Sequence, residues 1–561
     1  MSRKSDAKGV DFVFLPLGGV GEIGMNLYLY GYGREGDRQW LIVDMGVTFG
    51  GEAEPGVDVI LPDIRFIEEE RHNIAGLLLT HAHEDHFGAV VDLWPSLAGV
   101  PVYATPFTAE MLKSKLAEFG LVNGFPLQVM PLGDRRTIGP FDVELISMSH
   151  SIPEPSAVVI RTPLGAALHT GDWKLDENPL TSAPTDAARL KALGEDGVAA
   201  LICDSTNAIR DGVSASEADV AVVLARLIRE APKRVAVTTF ASNVARLGSV
   251  AKAARAAGRE LVVVGRAMLR VIEAAQATGY LDPNLHFHDE TAFAKLPPRK
   301  VVALCTGSQG EPRAALARIA KGEHPNVELE EGDLAIFSSR TIPGNEKAVL
   351  RVQNGLADLR VDVITDQDAP VHVSGHPRRG ELEQLYDWVK PSIAIPMHGE
   401  GRHLEVHAKL AERLGIKHVV RARNGAMVRL LPGPAQIIDD VPVGRLYRDG
   451  MILTRADAGQ VRERRRLSFA GSVAVSLVLS AKGVLLAEPE IALTGLPAAD
   501  NEGTPFAEIA RDAVVGTIES IPRPKRKDQA LVSDAVRRSV RAAVNQAWGK
   551  KPVCSVLVTV L

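Results

Sequence analysis

Short apolar runs that each end in polar residues recur along the first 210 positions of the chain. Residues 74–79 form such a run and predict a buried strand, and residues 87–94 predict a helix after it. Similar runs precede positions 150, 172 and 204, where His or Asp follows the apolar stretch. Packing alone does not explain this repetition, so we predict that strand ends gather polar side chains at one place in a sheet.

A glycine run at residues 18–26 lies between two predicted strands, 12–17 and 27–30. It contains the spacing G-x-G-x-x-G, which is typical of dinucleotide-binding turns when a helix follows. Here another strand follows, so we exclude that function and predict a tight hairpin.

From residue 215 to 370 strands and helices alternate, which predicts a parallel α/β layer. Loops rich in Gly, Ser, Thr and Arg follow its four predicted strands, which are residues 235–239, 261–264, 301–304 and 334–337. Ligands bind at the carboxyl ends of parallel strands, and such loops suit phosphate groups. Four of them at one edge favour a binding cleft.

The length of 561 residues exceeds what one hydrophobic core supports. We predict five segments, namely 1–214, 215–370, 371–455, a linker at 456–468 and a C-terminal domain at 469–561. The linker is polar and contains an arginine run, which is typical of a solvated connection. The last segment predicts strands and two amphipathic helices, near 506–520 and 527–547, without a catalytic cluster, so we expect it to serve assembly.

Composition excludes several classes of protein. Hydrophobic residues at 46% and charged residues at 24% are ordinary globular values, and the sequence lacks an apolar run long enough for a membrane span. Residues 1–6 lack the apolar segment of a signal peptide, so we expect a cytoplasmic protein. Cys203, Cys305 and Cys554 lie in apolar runs and are expected to be buried free thiols. The net charge of −5 argues against a globally basic nucleic-acid binder, so local basic groups or metal ions would have to meet a polyanionic substrate.

The stretch at residues 80–86 carries the strongest chemical signal. His81, His83, Asp85 and His86 lie within six positions of a chain that has only 15 histidines. A strand-to-helix turn points the first two side chains one way and brings the other two round from the first helical turn. Imidazole and carboxylate bind zinc or a neighbouring first-row ion, and the lack of a nearby cysteine argues against a closed structural zinc site.

Three further residues at strand ends, His150, Asp172 and His398, complete a binuclear site. We predict one metal on His81, His83 and His150, the other on Asp85, His86 and His398, and Asp172 bridging them. Two such ions stabilise both the attacking and the leaving oxygen of an in-line displacement, which is what phosphodiester hydrolysis requires. Asp44 ends another buried strand, where it would either cap the next turn or orient the histidine loop.

These residues carry a resemblance to a known family. Asp44, the H-x-H-x-D-H stretch, His150 and Asp172 resemble the four sequential motifs of the metallo-β-lactamase superfamily. Asp204 in Asp-Ser-Thr, His376 in H-V-S-G-H and His398 in P-M-H-G-E resemble the extra motifs of its β-CASP nucleases, and over nearly its whole length the chain is similar to bacterial ribonuclease J. The resemblance implies an α/β fold. An αββα sandwich is expected from 1–214 and 371–455, with the β-CASP α/β domain inserted at 215–370 and a small α+β domain at the C-terminus.

The resemblance also implies an activity. A ribonuclease with 5′-to-3′ exonuclease activity that prefers 5′-monophosphate ends, together with endonuclease activity, is expected to act in rRNA maturation and mRNA decay. Two zinc ions would be bound, with manganese as the alternative. Single-stranded RNA would be the substrate, because a histidine at 398 favours RNA over DNA. A homodimer or homotetramer and RNA-decay partners are expected, without a membrane partner.

By the same resemblance, individual residues receive roles. Asp85, Asp204 and His376 are the expected catalytic residues, with His376 as proton donor to the leaving oxygen. The expected substrate-binding residues are Phe240, Ser242 and Asn243 for a terminal nucleotide and His372, Val373, Ser374, Gly375 and His376 for the phosphate region. Phe240 could equally belong to the core, and Arg266, Ser308 and Arg378 are further phosphate candidates.

Two other functions remain open at this stage. A small-molecule hydrolase of thioesters or lactones would share the histidine motif, but it would need neither the long insertion nor His398. A non-catalytic scaffold of an RNA-decay assembly would be expected to lack a metal-binding residue, and this sequence keeps all seven.

Overall fold

The computed structural model describes residues 9–342 and 344–561. The chain divides into two compact units: one runs to Thr48 and resumes over Leu61–Gly444, and the other combines Phe49–Ile60 with Arg445–Leu561. The N-terminal stretch inspected for a signal peptide lies outside the described residues. Among the helices of these two ranges, none combines the length and apolarity that crossing a bilayer requires.

The first unit contains a sandwich of two sheets. The strands of its first sheet are, in spatial order, Gln436–Asp440, Ala426–Leu431, Val10–Gly18, Leu27–Arg34, Gln39–Val43, Ile74–Leu79, Val102–Ala104 and Leu127–Val129. Val10–Gly18 and Leu27–Arg34 pair in an antiparallel manner across the glycine run, which confirms the predicted hairpin. The strands of the second sheet are Arg135–Ile138, Phe141–Ser147, Ser156–Thr162, Gly165–His169, Ala200–Asp204, Ile393–Met397 and His418–Val419.

Side chains alternate between the two faces of each strand, and the apolar ones that point between the sheets form the core. Phe12, Phe14 and Tyr30 of the first sheet are packed with Val143 and Ile202 of the second, all without exposed surface. Residues of the opposite face of the second sheet are covered by the helices Ala187–Asp196, Arg379–Val389 and Gly401–Arg413. The remaining helical segments of the sandwich are Arg65–Glu69, Arg71–Asn73, Glu84–Phe87, Val90–Leu97 and Pro106–Glu118. The predicted αββα sandwich is therefore confirmed.

The insertion is a parallel sheet, as predicted, and it has five strands where the sequence predicted four. Its strand order is Glu260–Val264, Val301–Cys305, Val235–Thr238, Leu334–Phe337 and Asp362–Ile364. Alternate strand residues pack on opposite helical layers, so both faces are buried. The helices of the insertion are Glu217–Glu230, Val244–Ala256, Arg266–Ala277, Glu290–Ala292, Pro298–Lys300, Ala315–Ile319 and Glu346–Asp358.

The second unit contains an α+β layer at its C-terminus. Ser472–Leu479 pairs antiparallel with Glu490–Thr494 and parallel with Val553–Val560. The helices Phe506–Ser520 and Gln529–Trp548 cover one face through apolar residues spaced four apart, among them Val532, Val536, Val540 and Val544. The predicted elements of this segment are confirmed, and Cys203, Cys305 and Cys554 are buried free thiols.

Two differences from the predicted organisation concern the region before this layer. The short strands Arg445–Asp449 and Ile452–Arg455 group with the second unit rather than with the sandwich. The segment expected as a linker contains the turn Ala456–Ala458 and the helix Gln460–Ala470. Other short elements of the chain are the strands Val20–Gly21, Thr48–Phe49, Val59–Pro62 and Gly399–Glu400 and the helical turn Arg523–Lys527.

Candidate metal centre

The histidine-rich turn joins the strand Ile74–Leu79 to the short helix Glu84–Phe87. His83 has an extended backbone just before the helix, and Asp85 and His86 lie in its first turn, as the sequence predicts. The helix then stops and a second one begins at Val90, so the single predicted helix is divided in two. The structure brings all seven predicted metal-binding residues together in two groups that share Asp172.

The first group contains three imidazole nitrogens that converge. His83 Nδ1 lies 3.0 Å from His81 Nε2 and 3.1 Å from His150 Nε2. Burial and neighbouring imidazoles, His86 before His83, hold the pKa of His81 well below its usual range, and burial lowers the pKa of His83 to about 4. The rings are therefore neutral at pH 7, and their lone pairs suit one cation.

The second group is richer in negative charge. Asp172 Oδ2 lies 3.2 Å from His86 Nε2, and Asp85 Oδ2 lies 3.3 Å from His398 Nε2. Burial opposes a charge on His398, but Asp172, Asp204 and Asp85 raise the pKa of His398 to about 10. This group therefore needs positive charge.

Asp172 lies between the two groups. Its Oδ2 atom is 3.2 Å from His86 Nε2, 3.8 Å from His150 Nε2 and 4.0 Å from His81 Nε2. Its Oδ1 atom is buried and has no hydrogen-bond partner within the described ranges. A buried carboxylate oxygen without a hydrogen bond fits a cation as its missing partner, so the donor set suits metal binding.

Asp44 fixes the orientation of both histidine groups. Its Oδ2 atom accepts a hydrogen bond from His86 Nδ1 at 2.7 Å and another from Thr80 Oγ1 at 2.9 Å. Because the hydroxyl proton of Thr80 goes to Asp44, its oxygen accepts from His81 Nδ1, which lies 3.0 Å away. One carboxylate thus holds the protons of His81 and His86 on Nδ1 and leaves their Nε2 atoms for metal.

Two of the site residues have strained backbones. Asp44 has a φ of 62° and His398 a φ of 47°, which is the left-handed region that non-glycine residues rarely adopt. Such strain persists where surrounding contacts fix it, and it concentrates at functional sites. Here it turns each side chain from its strand end toward the cluster.

Asp204 and His376 form a third group with Asp172 and His398. His376 Nδ1 donates to Asp204 Oδ2 at 2.7 Å, and its ring stacks on that of His398 with centroids 5.4 Å apart. Although burial opposes it, Asp204 and then Asp172 raise the pKa of His376. With Nδ1 engaged, Nε2 is the atom that can deliver a proton.

The segment 372–376 lies against this cluster. The carbonyl of Gly375 accepts from His150 Nδ1 at 2.6 Å, and a Cβ at Gly375 would lie 2.5 Å from that nitrogen, so glycine is required there. Ser374 Oγ accepts from the amide of Asn207 at 2.8 Å, and Val373 is buried. His372 Nδ1 is buried without a partner in the described part of the chain, and burial followed by Arg246 lowers the pKa of His372 to about 3.

The predicted nucleotide-binding loop follows the strand Val235–Thr238. Phe240 and Ser242 are half-buried, which leaves both available to a ligand. Asn243 differs from the expectation, because its side chain is buried and engaged. It caps the helix Val244–Ala256 by accepting from the backbone of Arg246 and donates to Glu217. Direct contact between the Asn243 side chain and substrate does not fit this geometry. The hydrogen bonds of Asn243 instead fix the conformation of the loop.

Several supporting residues were missed by sequence reasoning. Asn26 Nδ2 donates to the carbonyl of Asp85, and Thr206 Oγ1 lies 2.8 Å from His398 Nδ1. Glu381 is fully buried and accepts from the backbones of Leu175, Ser214 and Arg378, which joins three segments around the site. Thr206 belongs to the Asp-Ser-Thr motif and could have been found there, whereas the sequence holds no signal for Asn26 or Glu381.

Comparisons with known proteins agree with this geometry. The chain matches four family models: a beta-lactamase superfamily domain at 43–192, the ribonuclease J beta-CASP domain at 232–356, a Zn-dependent metallo-hydrolase RNA specificity domain at 368–421 and the ribonuclease J C-terminal domain at 459–561. A solved structure of a protein of unknown function from Enterococcus faecalis covers 75% of this chain and 100% of its own at a TM-score of 0.50 and 17% identity, which concerns the fold alone.

Curated relatives cover nearly the whole sequence. Ribonuclease J of Sinorhizobium meliloti is 54% identical over 99% of this chain and 98% of its own length. Ribonuclease J of Mycobacterium tuberculosis is 39% identical over 96% of this chain and 95% of its own. With the clustered histidines and carboxylates, these matches show that the chain belongs to the ribonuclease J family of metal-dependent β-CASP ribonucleases.

Proposed function

We propose that this ribonuclease degrades single-stranded RNA from the 5′ end, prefers 5′-monophosphate ends and also cuts internally, in rRNA maturation and mRNA decay. The observation that carries the proposal is the single carboxylate of Asp172 shared by two donor groups, beside the His376–Asp204 pair. We propose two zinc ions as the bound metals, with manganese as the alternative. Bound there, metal ions supply Lewis acidity toward the scissile phosphate and lower the pKa of a water molecule.

The residues of the chain have separate parts in this reaction. His81, His83 and His150 would hold one ion, Asp85, His86 and His398 the other, and Asp172 both. Water gives one proton to the carboxylate of Asp85 and adds to phosphorus as the bond to O3′ breaks. His376 Nε2 gives its proton to O3′ while Asp204 accepts a hydrogen bond from Nδ1. The products are a free 3′-hydroxyl and a 5′-phosphate.

The preference for a 5′-monophosphate is supported by unpaired polar atoms beside the phosphate segment. His372 Nδ1 and Arg378 Nε are both buried without a hydrogen-bond partner in the described ranges. A ligand that hydrogen-bonds to buried atoms of this kind is bound more tightly, because it supplies their missing partner. We propose that these two atoms, with Ser374 and Gly375, contact phosphate oxygens and that Phe240 and Ser242 contact the first nucleotide.

We propose that the first three predicted segments form the catalytic body, apart from residues 49–60 and 445–455, which group with the second unit. A cytoplasmic site of action and a homodimer or homotetramer also belong to the proposal, since RNA decay is the proposed task. Sedimentation analysis of the purified chain measures the oligomeric state directly.

RNA hydrolysis by purified variants tests the proposal. Asp172→Asn and His81→Ala should abolish cleavage and lower the bound metal measured by elemental analysis, while circular dichroism remains that of the wild type. Full activity in either variant would refute the site. A separate comparison of 5′-monophosphate and 5′-triphosphate forms of one RNA tests the end preference, and equal rates would remove it without touching the metal site.

A further inference from the structure

The arginine run at 462–466 is not used by the catalytic proposal. It lies in the helix Gln460–Ala470, whose Val461 and Ala470 are buried. Arg464 pairs with Asp449 on one side of the helix and lies within 3.5 Å of the carbonyl of Pro55. These contacts belong to one unit of the chain and fix which side of the helix faces outward.

The outward side carries Arg462, Arg465, Arg466 and Phe469. Their spacing of three, four and seven residues places them in one line along a helix, and we call them the arginine stripe. The three arginines are exposed, and none has an ion pair or a side-chain hydrogen bond within residues 9–342 and 344–561. Phe469 is 68% exposed, and Lys550 Nζ lies 4.6 Å from its ring centroid while donating to its carbonyl.

The charge of the surrounding region differs from that of the chain. Residues 445–561 contain 18 Lys and Arg against 12 Asp and Glu, whereas the whole sequence contains 64 against 69. A cationic region in an anionic protein creates a local field that attracts polyanions. Within the stripe the like charges repel each other, and a bound polyanion would remove that cost.

We propose that the arginine stripe is an RNA-binding surface separate from the metal centre. Guanidinium groups bind phosphates in a bidentate manner, and an exposed aromatic ring stacks on an unpaired base. The stripe combines both features, which favours single-stranded RNA over an acidic protein. The inference rests on the proposed function only in that RNA is the substrate.

The test measures RNA binding by the full chain in the Asp172→Asn background, which keeps the RNA intact. Fluorescence anisotropy with an unstructured RNA of about 30 nucleotides is recorded over a series of salt concentrations. Changing the three arginines of the stripe to Ala should weaken binding about tenfold at 0.1 M salt and reduce the slope of log K against log salt by about 2. Phe469→Ala should weaken binding to single-stranded RNA while leaving the slope unchanged.

The matched control removes three other exposed arginines of the same unit, Arg537, Arg538 and Arg541, two of which already pair with Asp534. This variant has the same net charge as the stripe variant and should bind RNA clearly more tightly than it does. Equal loss in both variants, or no loss in the stripe variant, would overturn the proposal. A changed sedimentation coefficient with unchanged RNA affinity would instead make the stripe an interface between copies. Loss of RNA hydrolysis by the unmutated chain is a different result, because it would refute the proposed function rather than this surface.

Discussion

Asp44→Asn is the most informative single change, because it alters no proposed metal ligand. Asp44 accepts three hydrogen bonds, from the backbone and hydroxyl of Thr80 and from His86 Nδ1. In the variant, the side-chain nitrogen of Asn replaces one of the two carboxylate oxygens, so its N–H groups face other hydrogen-bond donors. With the nitrogen at the Oδ2 position, His86 loses the acceptor that holds its proton on Nδ1, and the link through Thr80 to His81 is broken as well. With the nitrogen at the Oδ1 position, the backbone N–H of Thr80 loses its acceptor, and the uncharged oxygen left at Oδ2 is a weaker acceptor for His86 and Thr80.

The size of the effect follows from these contacts. Loss of an outer hydrogen-bond partner of a metal-binding histidine lowers metal affinity 10- to 100-fold, which corresponds to about 1.4 to 2.7 kcal/mol. Since Asp44 serves one histidine in each group, we expect the upper end of this range. A buried donor left without an acceptor also lowers the free energy of unfolding by about 1 to 3 kcal/mol.

The assay is RNA hydrolysis as a function of added zinc or manganese, with bound metal measured in parallel. Asp44→Asn should be weakly active at low metal concentration and regain most activity at high concentration. Asp172→Asn should not recover at any concentration, because it loses a proposed ligand. A metal dependence of Asp44→Asn equal to that of the wild type would refute the assigned role of Asp44.

Three further outcomes are expected. Gly375→Ala should reduce hydrolysis at least 100-fold, because its Cβ would lie 2.5 Å from His150 Nδ1, whereas Gly516→Ala, in open space, should leave activity unchanged; similar rates would contradict the contact. Arg246→Met should lower the free energy of unfolding by about 3 to 5 kcal/mol in urea titration, because it leaves Glu217 buried and unpaired, and Glu217→Gln in addition should restore part of it. Removal of metal by a chelator should abolish hydrolysis and lower the melting temperature, since ions that bind the folded state and not the unfolded chain stabilise the folded state; an unchanged melting temperature would argue against bound ions.

The fold was largely predictable because its signals are local. Strand ends, the glycine hairpin and the parallel insertion follow from hydrophobic periodicity and turn residues, and the C-terminal helices from apolar residues four apart. Four of the seven candidate ligands were identified because they cluster within six positions, and the other three because each follows an apolar run. The supporting contacts were not, since the bond from Asn26 to Asp85 and the three-way contact of Glu381 depend on long-range packing. The helix at 460–470 was missed for a related reason, because the contact of Arg464 with Asp449, which helps to hold it in place, is invisible in a polar sequence.

The catalytic cluster carries negative carboxylates, and its RNA substrate is a polyanion. Metal ions and the arginine stripe would together supply the positive charge that RNA binding requires. The catalytic cluster contains the buried carboxylates Asp44, Asp172 and Asp204, and without cations it would repel an RNA phosphate. Divalent ions held there would reverse that sign only locally, because water and salt screen their field beyond roughly 10 Å. An RNA longer than a few nucleotides therefore needs a second source of positive charge, and unpaired arginines meet that need without competing for the metals. On this reasoning the stripe should matter more for long RNA than for short oligonucleotides. Equal kcat/KM losses for both lengths in the stripe variant would contradict it.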